Sequence, residues 1–447
     1  MKRALLFASF LLICCVPFAS AQSRGSYFFE NSLLRSKLNP AFAPQTTYIS
    51  VPVIGSLGVD VASNVGLGNF IFPARGKNYT FLNEHIPADT FLSKLPRRDP
   101  YVQERLETDL LGAGMAVGDK GYATVSFSAV ESGSAVIPGD LLRFAKVGEA
   151  GGYDNFNNLG LNLAGYLSLA GGFSYDLSDW VMGLRAGARF KLLVGIAAAN
   201  FKTQQLDLQM NGERVAVTAV GSGSLSGFDY LDNQFSFRGI GLRGIGAAID
   251  LGASYWLPLD SFFDGIELSA SVCDLGAISF NRSLTALSQN ASFSFTGISD
   301  LSGDLKAELE QLITDIQGLT HLESSEGKAF GYTLSPSIHV GAMAPFYHDM
   351  FNVGLLYYHT VGHSNLMAAV NASPFDWLNL GINWTFLGPA GRFGFFAEYI
   401  PRKYVGFFFG MERASWRRNS SHLAIGNFTD SFSFGLNLLF GDYSFWR

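Results

Sequence analysis

From Leu161 to Leu177 the chain reads LNLAGYLSLAGGFSYDL, seventeen residues in which apolar and small or polar side chains alternate without a break. The odd positions hold Leu161, Leu163, Leu167, Leu169, Phe173 and Tyr175, and the even ones hold Asn162, Ser168, Ser174 and Asp176. A period of two belongs to a β-strand with one apolar and one polar face. At roughly 3.3 Å per residue such a strand is about 56 Å long, about three times the usual length. Few soluble cores are that wide, so the apolar row points to a broad apolar neighbour such as lipid.

The pattern recurs. In Val181–Phe201 the even positions are apolar or small, and the odd face carries Arg185, Arg189 and Lys191. Similar alternation runs through Ile245–Leu257, Ile266–Cys273, Phe330–Phe346, Leu378–Phe386 and Ser431–Phe440. Weaker strands fit Tyr48–Ile54, Leu111–Val117, Gly121–Val130, Asn352–Thr360, His363–Val370, Phe393–Ile400 and Val405–Glu412. With weak segments near 202–221 and 275–296, the expected count is about 14 strands, with 12–16 compatible. Turn residues separate the segments, and Trp180, Trp256, Trp377 and Trp416 flank them as an interfacial girdle does.

Composition agrees with a membrane setting. The chain is 48% apolar and only 15% charged, and it has fifty glycines. Past the leader no run of about 18 apolar residues occurs, so spanning helices are not expected. Lipid tolerates no unpaired backbone, which leaves the closed barrel as the spanning solution. A formal charge of −6 gives no reason to expect a nucleic-acid partner. At the start, Lys2 and Arg3, the apolar Ala4–Val16 and Ala19-Ser20-Ala21 read as a signal peptide over 1–21, with Gln22 as the first mature residue. Export leaves Cys273 as the sole mature cysteine, so no internal disulfide is expected.

The expected organisation is thus all-β: a transmembrane antiparallel barrel over 48–447, an N-terminal segment 22–47 without alternation, and helical insertions near 82–110, 137–158 and 298–319. The last of these is amphipathic, with Ile298, Leu301, Leu305, Leu309, Leu312 and Ile316 at helical spacing.

The stretch YFFENSLLRSKLNPAFAP, followed by YISVPVIGSLGVDV, resembles the start of an uncharacterised family of Bacteroidetes outer-membrane barrels. IPGDLLRFAKVGE and SVCDLGAISF resemble further recurring pieces of that family. More distantly the group is similar to FadL-like and PorV-like barrels. That resemblance implies an N-terminal plug folded into the lumen, carried here by Asn39, Pro40 and Ala41. It implies no substrate.

Enzyme chemistry finds little footing. Gly239–Gly244 matches GxGxxG but leads into another alternating strand, where a dinucleotide site needs a helix. His339, His348, His359 and His363 share no helix that could present them to a metal, and no GxSxG element occurs. No cofactor is implied. The candidate lumen charges are Arg185, Arg189, Lys191, Asp250, Glu267 and Glu398. They form either a stripe for an anionic solute or an ion-paired lattice that clamps the plug. Small inward residues such as Gly171, Gly172, Gly244 and Gly246 leave room in the lumen. With few lumen charges expected, the leading function is a gated conduit for hydrophobic or amphipathic small molecules, in contact with outer-membrane lipid. The alternative is a docking or secretion-accessory barrel that holds a protein partner through its loops and helix 298–319.

Overall fold

A computed structural model describes residues 24–440, except 31, 45, 75–76, 148–156, 212–213, 232–233, 238, 260–261, 282–283, 288–290, 295–328, 361–362, 388–391, 402–403 and 414–427. The chain forms a closed, transmembrane antiparallel barrel of 14 strands. The first wall strand is built from two pieces, Thr47–Ser50 and Leu57–Ser63. Both pair with Phe428–Phe440 on one side and Tyr101–Val117 on the other, which closes the cylinder. Each later wall strand pairs with its neighbour in sequence, save that Leu184–Asn211 leaves the wall at its far end to pair with Arg214–Ser226 while its first half pairs with Gly244–Pro258. Closure leaves no backbone edge, the condition for a sheet surrounded by hydrocarbon.

Parity within the wall follows the sequence. Along Gly160–Asp176, Leu169 and Phe173 are 49% and 46% exposed, while Ser168 and Ser174 are 6% and 4%. The outward row continues around the cylinder through Leu192, Ile249, Leu268, Val340, Leu355, Val370, Ile382 and Phe407, all exposed. At the end with short turns, the exposed Trp180, Tyr347, Trp377, Tyr399 and Tyr404 form an aromatic rim, with Trp377 stacked on Phe375 at 4.8 Å.

Three sequence expectations need correction. Residues 101–110 are not a loop but the first half of Tyr101–Val117. Their outward face carries Glu104 and Thr108, so it lacks the apolar row that marks a strand. Helix does form at Ala88–Leu92 and Gly139–Val147, where it packs with the paired strands Ile71–Ala74 and Lys77–Thr80 around Phe72, Phe81 and Phe91 at the long-loop end. The expected continuous strand 330–346 is broken into Phe330–Thr333 and Ser337–Phe346. Tyr332 and Leu334 therefore face inward although they belong to the apolar even set. The facing strand changes parity as well, because two residues near Asp274 oppose one near Asp250. Lastly, Gly171 faces outward and leaves no room in the lumen. Helix 298–319 lies outside the described residues.

Candidate functional site: the lumen and its N-terminal segment

The described residues of the N-terminal segment, 24–30 and 32–44, lie inside the barrel, in the half nearer the short turns. A 3-10 turn, Arg24–Phe28, and one helical turn, Arg35–Leu38, carry about half of the segment's buried residues. Tyr27, Phe28, Phe29, Leu34, Leu38 and Phe42 pack on wall residues such as Met343, Leu356, Met367, Phe396 and Phe408. Wall glycines make the fit possible. A Cβ at Gly354 would stand 2.3 Å from the Phe28 ring, and one at Gly341 would stand 2.5 Å from Tyr27. At Gly252 it would meet Asn39 Oδ1 at 1.9 Å, and at Gly187 the Pro40 carbonyl at 2.0 Å. Any larger residue at these four positions would push the segment away from the wall.

Asn39, Pro40 and Ala41 sit at the centre of this contact. Asn39 Nδ2 donates to the carbonyls of Ala253 and Ala270 at 3.2 and 3.3 Å, and Asn39 Oδ1 accepts from Ala41 N–H at 2.9 Å. The Ala41 carbonyl accepts from Ser174 Oγ at 2.7 Å, and Leu38's carbonyl accepts from Ser271 Oγ at 2.7 Å. Thus backbone groups of the segment are satisfied by hydroxyls of the inward strand rows.

Three cations of the segment meet wall carboxylates. Arg24 donates to Asp60 at 2.7 Å, Arg35 bonds Glu267, and Lys37 lies 2.8 Å from Asp109 and 3.4 Å from Glu107. Burial opposes the charge on Lys37, but Asp109 and Glu107 outweigh it and raise its pKa above the usual lysine value. Burial pushes the Tyr27 hydroxyl up to about 12, although it hydrogen-bonds Ser269.

The sequence-predicted charges all face inward, and each has a partner. Arg185 lies 3.7 Å from Asp176. Arg189 donates to the Ser36 carbonyl at 2.7 Å and lies 3.6 Å from Asp250. Lys191 bridges Asp250 at 2.8 Å and Asp274 at 2.6 Å. Glu398 is buried and accepts from Asn379 at 3.0 Å. What sequence reasoning missed is the other half of these pairs. Arg24, Arg35 and Lys37 sit in a segment without periodicity. Arg105, Glu107 and Asp109 sit in the unrecognised half-strand, and Asp274 lies at a bulge with φ 61°. The lumen is therefore more densely charged than expected.

Beyond the segment, toward the long-loop end, a cavity of ≈ 1580 Å³ opens, counting space continuous with solvent. Its floor includes Arg24, Lys37 and Leu38. Its wall carries Ser126, Ser132, Ser134 and Asn162, and an apolar patch of Val130, Tyr166, Leu193 and Tyr332 is set among them, Val130 and Tyr166 on the same two strands. Among the described residues no group of three or more His, Cys, Asp or Glu could hold a metal. His339 stacks on Tyr27, whereas His359 pairs with Ser364 near the long-loop rim.

A polar lumen, an apolar exterior and hydrogen-bonded closure define a transmembrane barrel occupied by its own N-terminal segment. The chain belongs to a family of unknown function, DUF5723, whose model matches residues 40–411. No curated protein matches it. Among solved structures it is similar to the toluene transporter TbuX of Ralstonia pickettii, with 11% identity and TM-score 0.43 over 95% of this chain and 96% of that one. It is also similar to the Pseudomonas putida toluene transporter TodX, with 11% identity and TM-score 0.38 over 94% of each chain. A third likeness is to the translocator domain of autotransporter NalP from Neisseria meningitidis, with 8% identity and TM-score 0.34 over 88% of each.

Proposed function

We propose that this protein is an outer-membrane conduit for amphipathic small molecules, closed at rest by residues 24–44 as a plug. The observation that carries this reading is the division of the lumen. One half is filled by a segment seated in glycine sockets and ion pairs, and the other half is an open cavity whose floor is that segment. A conduit needs both a path and a means of closing it. The cavity's apolar patch, Val130, Leu193 and Tyr332, is flanked along the wall by serine hydroxyls, which suits a solute with two unlike ends. Short turns at the plug end and long loops at the other match a periplasmic and an extracellular side. The dense lumen charges disfavour a wholly hydrophobic solute, whose passage would desolvate them.

The test is conductance in planar bilayers. The full chain should conduct little, and deletion of residues 22–45 should raise conductance severalfold. A double variant, Arg35→Ala with Lys37→Ala, keeps the segment but removes its anchors and should show intermittent opening. Equal, negligible conductance in all three folded proteins would refute the conduit.

A further inference from the structure

We propose that the cavity selects a neutral, hydroxyl-rich head group, such as the sugar of an alkyl glycoside, over a carboxylate or an ammonium. The inference deepens the conduit reading and rests on it for its setting, while the site itself is defined by the wall.

On the strand Gly121–Val136 the even positions face inward, and five of them line the cavity: Ser126 and Ser128 on one side of Val130, and Ser132 and Ser134 on the other. From 126 to 134 this hydroxyl ladder extends about 27 Å, interrupted at Val130 and the Tyr166 opposite it, and Ser128 Oγ already donates to Asp109 at 2.8 Å. The neighbouring strand continues it sideways, because Ser128 stands opposite Ser168 and Ser134 opposite Asn162. Such side chains both donate and accept, as sugar hydroxyls do.

The charges around the cavity point the same way. Arg24 is paired with Asp60, Arg105 with Glu107 and Asp274, and Lys191 with Asp250 and Asp274. Arg392 donates to Tyr358 and Asn365 at 2.7 Å each and lies 3.9 Å from Glu412. A carboxylate on the ligand would compete with wall carboxylates for guanidinium groups already engaged. An ammonium would compete with Lys191 and Arg105 in the same way. Breaking one partner out of a buried pair is costly. An alkyl chain laid on the ladder would leave its hydroxyls without partners, also at a cost. A neutral polyol avoids all three penalties. Its alkyl tail would lie on the apolar patch at Val130, Leu193 and Tyr332.

Three probes with one chain length and different heads separate the cases: decyl maltoside, decanoate and decyltrimethylammonium, each below its micellar concentration. Titration calorimetry would use the full chain in lipid nanodiscs. The maltoside should bind saturably, at least tenfold tighter than either charged probe. The triple variant Ser126→Ala, Ser132→Ala, Ser168→Ala removes hydroxyls without adding bulk. It should keep its heat-modifiable migration as a folded barrel and bind the maltoside ten- to a hundredfold more weakly. Equal or tighter binding of either charged probe would overturn the proposal, as would a folded triple variant with unchanged maltoside affinity. The conduit reading fails separately, on the conductance of the 22–45 deletion, whichever head group binds.

Discussion

Arginine at Leu169 and arginine at Ser168 should differ in cost although the positions adjoin. Leu169 lies midway along Gly160–Asp176, and its outward neighbours are Phe127 on one side and Leu192 on the other. Leu169 and Leu192 are exposed and Phe127 is half-buried on the same outward row, so a guanidinium there enters hydrocarbon at roughly mid-depth. In barrels of this kind the expected cost is about 2–4 kcal/mol near the midplane. Ser168 points the other way, into the cavity, where water and polar groups solvate a charge. Arginine there should cost less than at Leu169, because the charge is offered the cavity's polar groups instead of hydrocarbon. Urea titration of refolding into lipid vesicles, followed by tryptophan fluorescence, resolves such a gap if the m-values agree. Single cysteines supply an independent check. A bilayer-confined probe should label position 169, and a water-soluble thiol reagent position 168. Equal costs or reversed labelling would show that the strand register is wrong. A water-soluble folded monomer with Leu169 buried would refute the membrane barrel itself.

Other consequences follow from the lumen. Gly252→Val should dislodge the segment from the wall, since even a Cβ would meet Asn39 Oδ1 at 1.9 Å. About 1–3 kcal/mol of overpacking is expected, read as faster proteolysis within residues 24–44. Lys37→Ala leaves Asp109 without this cation and Glu107 with Arg105 alone, and should destabilise by up to about 3 kcal/mol, measured by the same urea titration. Alkaline titration has a defined sign. Because the folded pKa of Lys37 is raised, its contribution is complete below about pH 10.4, the free-lysine value. It is lost as pH rises through the folded value. Anchoring should therefore be flat from neutral pH to about pH 10 and weaken above that, seen as rising conductance; weakening below pH 9 would contradict it.

The strands were legible because each wall residue meets one of two solvents, and their alternation is written at period two. Leu169 and Ser168 show this plainly. Legibility fails where parity depends on a partner strand. The shift at Asp274 depends on how two strands pair, and opposite it the strand breaks between Thr333 and Ser337, so Tyr332 and Leu334 read as outward and lie inward. It fails again where the outward face leaves the apolar row, as at Glu104 in the half-strand that hides Arg105, Glu107 and Asp109. Arg185, Arg189 and Lys191 could be placed on the inner face from sequence. Their carboxylate partners lie on other strands and could not. The segment 24–44 is least legible, because its shape comes from the wall. Glycines at 187, 252, 341 and 354 look like ordinary barrel glycines until the side chains that occupy their space are known.

The same pairing fixes what the lumen becomes when the segment leaves. Arg24, Arg35 and Lys37 depart with it, and Asp60, Glu267 and Asp109 remain on the wall without those partners. The one acid in the departing stretch, Glu30, is exposed, so three cations and one anion are removed and the wall turns more negative by a net two charges. Of the carboxylates left behind, Asp60 and Asp109 lie on adjacent strands and Glu267 on a distant one, so an ion passing through meets acids on two sides of the path. Acidic linings of this kind favour cations. A pore lacking residues 22–45 should thus be cation-selective, with a reversal potential of the cation sign under a potassium chloride gradient. Adding Asp109→Asn and Glu267→Gln to the deletion should move that potential toward zero. Salt should weaken the preference as it screens the wall, most strongly as the Debye length falls from about 10 Å at 0.1 M to about 3 Å at 1 M. An anion-selective deletion pore would mean that Arg105, Arg189, Lys191 and Arg392 dominate the open path. The segment's cations would then not be the charges that balance the wall.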